Sequence, residues 1–144
     1  MQKKNGFTLI ELLIVVAIIG VLARLVIVYF PASQKRARDA RRQSDITQYR
    51  TAVEKYANSH NGNYYVSSGT VNPSSAAVCN ALTGSSTQCS ADPGSFTYQY
   101  NGTATQYVIW AQLEAPSATT YFIACSNGKA GQAASFGSPP TCPL

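Results

Sequence analysis

Few side chains in this sequence are equipped for chemistry, and those that are do not converge. His60 is the sole histidine, no glycine-framed serine nucleophile accompanies it, and no glycine-rich phosphate loop occurs. A Ser-His-Asp relay and nucleotide chemistry both lack their parts. Cys79, Cys89, Cys125 and Cys142 have neither the Cys-x-x-Cys nor the Cys/His spacing of a zinc site. In a short segment rich in Ser, Thr and Gly they read as disulfide formers, which three connectivities could satisfy, and they place that segment in an oxidising compartment. No catalytic residue, cofactor or metal site is expected, and the chain reads as a non-enzyme. What remains is the Gly6-Phe7 bond, which ends the short basic leader Met1-Gln2-Lys3-Lys4-Asn5-Gly6, and two charges, Glu11 and Arg24, inside the apolar run that follows.

That run must position everything else. Residues 7–30, at ~1.5 Å per residue as a helix, are long enough to cross a hydrocarbon core of ~30 Å. A carboxylate or guanidinium near the centre of such a span costs about 2.5–3.5 kcal/mol. Glu11 lies one turn inside the run, so it can stay near a headgroup region, take up a proton, or pair with a cation brought by another chain. The leader also departs from an ordinary secretory signal, whose cleavage site follows the apolar region instead of preceding it.

Gly6 followed by Phe7-Thr8-Leu9-Ile10-Glu11 closely resembles the processing site of type IV prepilins and the related pseudopilins. The likeness continues through Gly20 and Val21-Leu22-Ala23, and Ala37-Arg38-Asp39-Ala40-Arg41-Arg42 to Asn61-Gly62-Asn63-Tyr64 is also similar to bacterial pilins. The resemblance implies cleavage between Gly6 and Phe7 by a membrane prepilin peptidase and N-methylation of Phe7. It also implies a role for Glu11 in assembly, facing the N-terminal amine of a neighbouring subunit. The sequence departs from the family where Val28 stands in place of a frequent proline, the first proline being Pro31, and where Arg24 interrupts the run.

Net charge is +5, and its placement matters more than its size. Lys35, Arg36, Arg38, Arg41, Arg42, Arg50 and Lys55 crowd one segment, whereas Asp92, Glu114 and Lys129 are the only charges after His60. A basic patch suggests nucleic acid, but this one is interleaved with Asp39, Asp45 and Glu54. Arg41 and Asp45, like Arg50 and Glu54, stand four apart and can pair on one helical face. A solvated or inter-subunit charge lattice is the reading preferred here. The cluster would favour a cytoplasmic location by the positive-inside tendency; the cysteines favour export, and the pilin resemblance agrees with them.

Ile46, Tyr49, Val53 and Tyr56, with Ala52 and Ala57, recur at helical steps and should form the stripe on which a head packs. The helix should end in Asn58-Ser59-His60-Asn61-Gly62. A short helix is expected over 74–82, within a variable loop spanning 66–95. Strands are expected at 96–100, 107–113 and 121–125, with Asn101-Gly102 as a turn, though Thr103 to Gln106 can lengthen it. Asn101-Gly102-Thr103 also fits a glycosylation sequon, for which the turn reading is preferred. The tail from Lys129 shows no regular periodicity. Cys125 and Cys142 resemble the bridge that encloses the C-terminal loop of many type IV pilins, and that likeness implies Cys125–Cys142 together with Cys79–Cys89.

The expected fold is α+β: a long N-terminal helix, membrane-spanning in its first half and amphipathic in its second, packed on a small antiparallel sheet. The expected organisation is a leader at 1–6, a transmembrane and assembly helix at 7–31, the amphipathic half at 32–60, and a β head with a disulfide-bounded loop at 61–144. The resemblance implies a structural subunit of a type IV pilus for attachment, twitching motility or DNA uptake. Such a subunit spans the inner membrane once before assembly and is then extracellular in the filament. Its partners would be further copies of itself, the peptidase, the inner-membrane assembly platform and the membrane, with DNA or a host-cell surface as candidate targets. The alternatives are a type II secretion pseudopilin and a membrane-tethered adhesin or DNA-binding module that does not polymerise.

Overall fold

The computed structural model describes residues 7–134 and 141–144; the leader, including Gly6, lies outside them. The elements follow in order as α1 (Leu9–Ser59), α2 (Ala76–Thr83), β1 (Gln99–Gly102), β2 (Tyr107–Leu113), β3 (Thr120–Cys125) and β4 (Ala130–Ala133). The chain divides into two compact units between Gln34 and Lys35. Pro31 lies inside α1, which runs on through it, although its ring removes one backbone donor.

In the first unit the helix is long and apolar enough to cross a membrane, and none of its apolar window is buried. Its described large side chains, from Phe7 to Phe30, are all exposed. An uncovered apolar face of that size is stable only against lipid or other protein.

The second unit is a helix on a sheet. The four strands form an antiparallel meander in sequence order. Along β2 alternate side chains take opposite faces. Tyr107, Ile109 and Ala111 join Ile46, Tyr49 and Val53 of α1, Val78 and Leu82 of α2, and Tyr98 and Tyr100 in the main core. Val108 and Trp110 turn the other way, onto Ile123 and Cys125, where Cys142 and Leu144 help cover them. The tail therefore closes the second face of the sheet, and the Cys125–Cys142 disulfide holds it there. A second disulfide joins Cys79 of α2 to Cys89. The helical stripe packs as its spacing indicates, with Ile46 and Val53 fully buried.

α1 closes with Gly62 N–H donating to the Ala57 carbonyl at 2.8 Å, and with Asn61 and Gly62 both at positive φ, a Schellman-type end.

Three strand expectations are corrected. Residues 96–98 lie outside β1, and Tyr98 donates its hydroxyl to Asp45 at 2.6 Å. Asn101 and Gly102 are strand residues opposite Val108 and Tyr107, and the turn is made by Thr103 to Gln106. A fourth strand occupies part of the tail: Ala130–Ala133 has weak strand propensity but pairs with the edge of β3, after a tight turn at Gly128 with φ 85°. Pairing with an existing edge outweighs local preference there.

Gly102 is required by space. A methyl group on it would run into the Tyr100 hydroxyl and the Tyr65 carbonyl, which are hydrogen-bonded to each other at 2.6 Å. Gly102→Ala should destabilise the head by about 1–3 kcal/mol through overpacking. Denaturant unfolding of the full chain in non-ionic detergent would measure this, and an unchanged midpoint would contradict it.

Candidate functional site

At the start of α1, Thr8 and Glu11 form a capping box. The Glu11 carboxylate accepts from the Thr8 backbone N–H and the Thr8 hydroxyl, both at 2.9 Å, and the Glu11 N–H donates to Thr8 Oγ1 at 3.3 Å. A carboxylate also suits the positive end of a helix dipole. Both residues are exposed, as is Phe7, so Glu11 keeps acceptor capacity beyond its own cap. Arg24 is exposed and makes no ion pair among the described residues.

In the second unit, charged residues extend the buried stripe of α1. Asp39 and Arg42 precede Ile46, Tyr49 and Val53 at the same three- and four-residue steps. All five are buried. The Arg42 guanidinium is fully enclosed and donates to Asp39 at 2.9 Å and to Asp92 at 2.6 and 2.8 Å. It also pairs with Glu114 at 2.6 Å and lies 5.1 Å from the centre of the Phe96 ring. Arg38 grips Glu114 from the other side, with its closest contact at 2.6 Å.

Three carboxylates against two guanidiniums leave one formal negative charge, which backbone donors absorb. Asp39 accepts from the N–H groups of Glu114 and Ala115, and Asp92 accepts from Gly94 N–H. The cluster thereby ties the segment before β1 and the loop after β2 to one helical turn. Arg38, followed by Arg42, holds the Glu114 carboxyl down at about 2.

Further along α1, buried tyrosines take up the remaining acids. Tyr98 donates to Asp45, while Tyr107 and Tyr64 donate to Glu54 at 2.9 and 3.3 Å. Burial, then the adjacent carboxylate, pushes the Tyr98 and Tyr107 hydroxyls well above their ordinary range, so they stay protonated donors.

Arg38, Asp39, Arg42 and Asp45 thus find partners within this chain, three of them buried and Arg38 a third exposed. The expected Arg41–Asp45 pair forms at 3.8 Å, whereas no Arg50–Glu54 ion pair forms among the described residues, Glu54 being engaged by tyrosines. The legible signal was the spacing: Arg42 stands four residues before Ile46, and Asp39 three before Arg42.

The fold defines a class: a head with its own core, preceded by a helix whose first half is apolar but for Glu11 and Arg24. Residues 1–23 match the family described as the prokaryotic N-terminal methylation motif. A fimbrial protein of Pseudomonas aeruginosa is 44% identical over 54 residues, 38% of this chain and 35% of that protein. The type IV major fimbrial protein FimA of Dichelobacter nodosus is 49% identical over 51 residues, 35% of this chain and 33% of that one. The type II secretion system core protein G of Escherichia coli K12 is 39% identical over 55 residues, 38% of each. No solved structure gives a significant match. The matches thus span about a third of each relative's length. The N-terminal part of this chain is similar to type IV fimbrial proteins and to a type II secretion core protein, and it carries the N-terminal methylation motif.

Removing the Arg42 guanidinium takes the shared cation from three acids, leaving Arg38 on Glu114 and only backbone donors on Asp39 and Asp92. Arg42→Met should cost about 3–5 kcal/mol, the range for breaking a buried ion pair from one side. Because the Glu114 carboxyl is depressed from 4.5 to about 2, its contribution is complete above pH 4.5 and is lost as pH falls towards 2. Thermal unfolding of the full chain in detergent should therefore show an acid-side loss of stability that Glu114→Gln reduces. A Glu114→Gln profile that parallels the parent throughout that window would contradict the assignment.

Proposed function

We propose that this chain is a structural subunit of a type IV pilus, serving attachment, twitching motility or DNA uptake. The observation that carries the reading is the wholly uncovered apolar helix at residues 7–30, opened by the methylation motif and followed by a separately cored, disulfide-closed head. In this reading residues 1–6 are a leader, removed between Gly6 and Phe7 by a prepilin peptidase, and the new amine of Phe7 is methylated. The span then holds the subunit in the inner membrane until an assembly platform extracts it into the extracellular filament.

Transfer of the apolar face from lipid to neighbouring helices gains little hydrophobic energy. Register then falls to packing and to polar contacts. The Glu11 carboxylate, presented at the helix start by Thr8, suits the Phe7 amine of the next subunit, since buried charges are tolerated when paired. Residues 7–31 act as the assembly helix, 32–60 as its amphipathic continuation, and 61–144 as the head.

A pseudopilin is the second reading, because a secretion-system protein is among the relatives. Major pseudopilins usually bind calcium in the head, and calcium requires several oxygen ligands. The two acids of this head, Asp92 and Glu114, are committed to Arg42 and Arg38. That commitment favours the pilus reading.

Filaments sheared from producing cells should contain this chain as residues 7–144, plus one methyl group and minus the four hydrogens of two disulfides. Intact mass spectrometry reads all of these at once. Processed protein retained in the envelope would favour the pseudopilin, and an uncut chain in the membrane would favour the tethered module. Glu11→Ala should abolish filament incorporation while leaving head stability unchanged; normal incorporation would exclude a pairing role for Glu11.

A further inference from the structure

The end of α1 borders an open cleft of about 650 Å³ whose walls include Tyr56, His60, Asn61, Asn63, Tyr64 and Tyr65. All of them belong to the second unit. Among the described residues no aspartate, glutamate, lysine or arginine lines this cleft. Aromatic rings and side-chain amides make up most of its surface.

The walls are fixed from within the head. Tyr64 packs edge-on against Tyr107 with ring centres 4.8 Å apart, and Tyr65 edge-on against Tyr56 at 5.9 Å. The Tyr64 N–H donates to the Ala104 carbonyl, and the Asn63 N–H to that of His60, each at 3.0 Å, so the backbone leaving the helix is tied down. The His60 ring stacks on Tyr56 at 3.8 Å, and its Nδ1 lies 2.8 Å from the Tyr56 carbonyl oxygen. A carbonyl can only accept, so Nδ1 carries a proton, and in the neutral ring Nε2 is left as an acceptor.

The fold uses some of the polar groups here and leaves others. The Ser59 hydroxyl donates to the Tyr56 carbonyl at 2.9 Å, and the Tyr64 hydroxyl to Glu54 at 3.3 Å. By contrast, the exposed side-chain amides of Asn61 and Asn63 have no hydrogen bond among the described residues. Each offers two N–H donors and a carbonyl acceptor.

Rings beside unengaged amides match the chemistry of a sugar. The C–H face of a pyranose packs on aromatic surface, while its hydroxyls donate and accept at once. An anion or a nucleic acid calls for cations, which this cleft lacks, and the Glu54 carboxylate behind the Tyr64 hydroxyl opposes one further. A metal calls for more nitrogen, thiolate or carboxylate ligands than His60 supplies alone. The volume lies within the range of small-molecule sites.

We propose that this cleft binds a neutral mono- or disaccharide, its ring against the tyrosines and its hydroxyls on the Asn61 and Asn63 amides and on His60 Nε2. The cleft lies wholly within the second unit, so the proposal stands apart from the filament reading.

The isotope-labelled full chain, in a detergent without a sugar headgroup, would be titrated with glucose, galactose, mannose, N-acetylglucosamine, lactose and cellobiose. The side-chain amide signals of Asn61 and Asn63 would be followed by nuclear magnetic resonance. Saturable shifts with at least one of these saccharides are expected. Its affinity should fall about fivefold in each of Asn61→Gly and Asn63→Ala and stay unchanged in Gln48→Ala, an exposed amide outside the cleft. Glycine accepts the positive φ of residue 61, so the first variant removes the amide without straining the helix end, and an unchanged thermal midpoint checks this. Signals unmoved by every saccharide at its highest soluble concentration would overturn the proposal, as would an equal loss in Gln48→Ala. Tighter binding of N-acetylneuraminic acid or of oligothymidine than of any neutral saccharide would also overturn it, reassigning the cleft to an acidic sugar or to nucleic acid.

Discussion

The buried guanidinium of Arg42 is the interaction on which the head depends. A fully enclosed cation is tolerable only when its charge is answered and its donors are used. Here Asp39 comes from the same helix, Asp92 from the segment before β1, and Glu114 from the end of β2. Satisfying one side chain thus brings two distant parts of the chain to the same turn of α1. A hydrophobic contact could supply comparable burial without this directionality, because apolar surfaces do not prescribe which partner meets which.

Around that anchor the polar and apolar interiors are continuous. The tyrosines of the core place their rings among Ile46, Val53 and Ile109 and direct hydroxyls to Asp45, Glu54 and the Tyr65 carbonyl. Each buried acid therefore has a donor, and each buried hydroxyl an acceptor. The two disulfides act where this network is thin, at α2 and at the tail that covers Trp110. For a small head they restrict the unfolded chain where apolar burial alone would be modest.

The two units meet opposite physical demands. The head encloses its acids and buries its apolar stripe, whereas the described large apolar side chains of the first unit are all exposed. Such a face is not stable alone in water; it requires lipid or other protein. The proposed function follows from that requirement, because the uncovered helix invites membrane and filament.

The sequence by itself determined the long apolar helix, the stripe from Ile46 to Ala57, the strands about Tyr107–Leu113 and Thr120–Cys125, and the likeness to pilins at the N-terminus. These are encoded locally, in periodicity, composition and a short motif. Only the tertiary structure decided the partners of the charges, because Asp92 and Glu114 reach Arg42 from 50 and more residues away and no local pattern announces such a meeting. It likewise decided the fourth strand. Ala130–Ala133 has little strand character of its own and becomes one because β3 presents an edge for it to pair with.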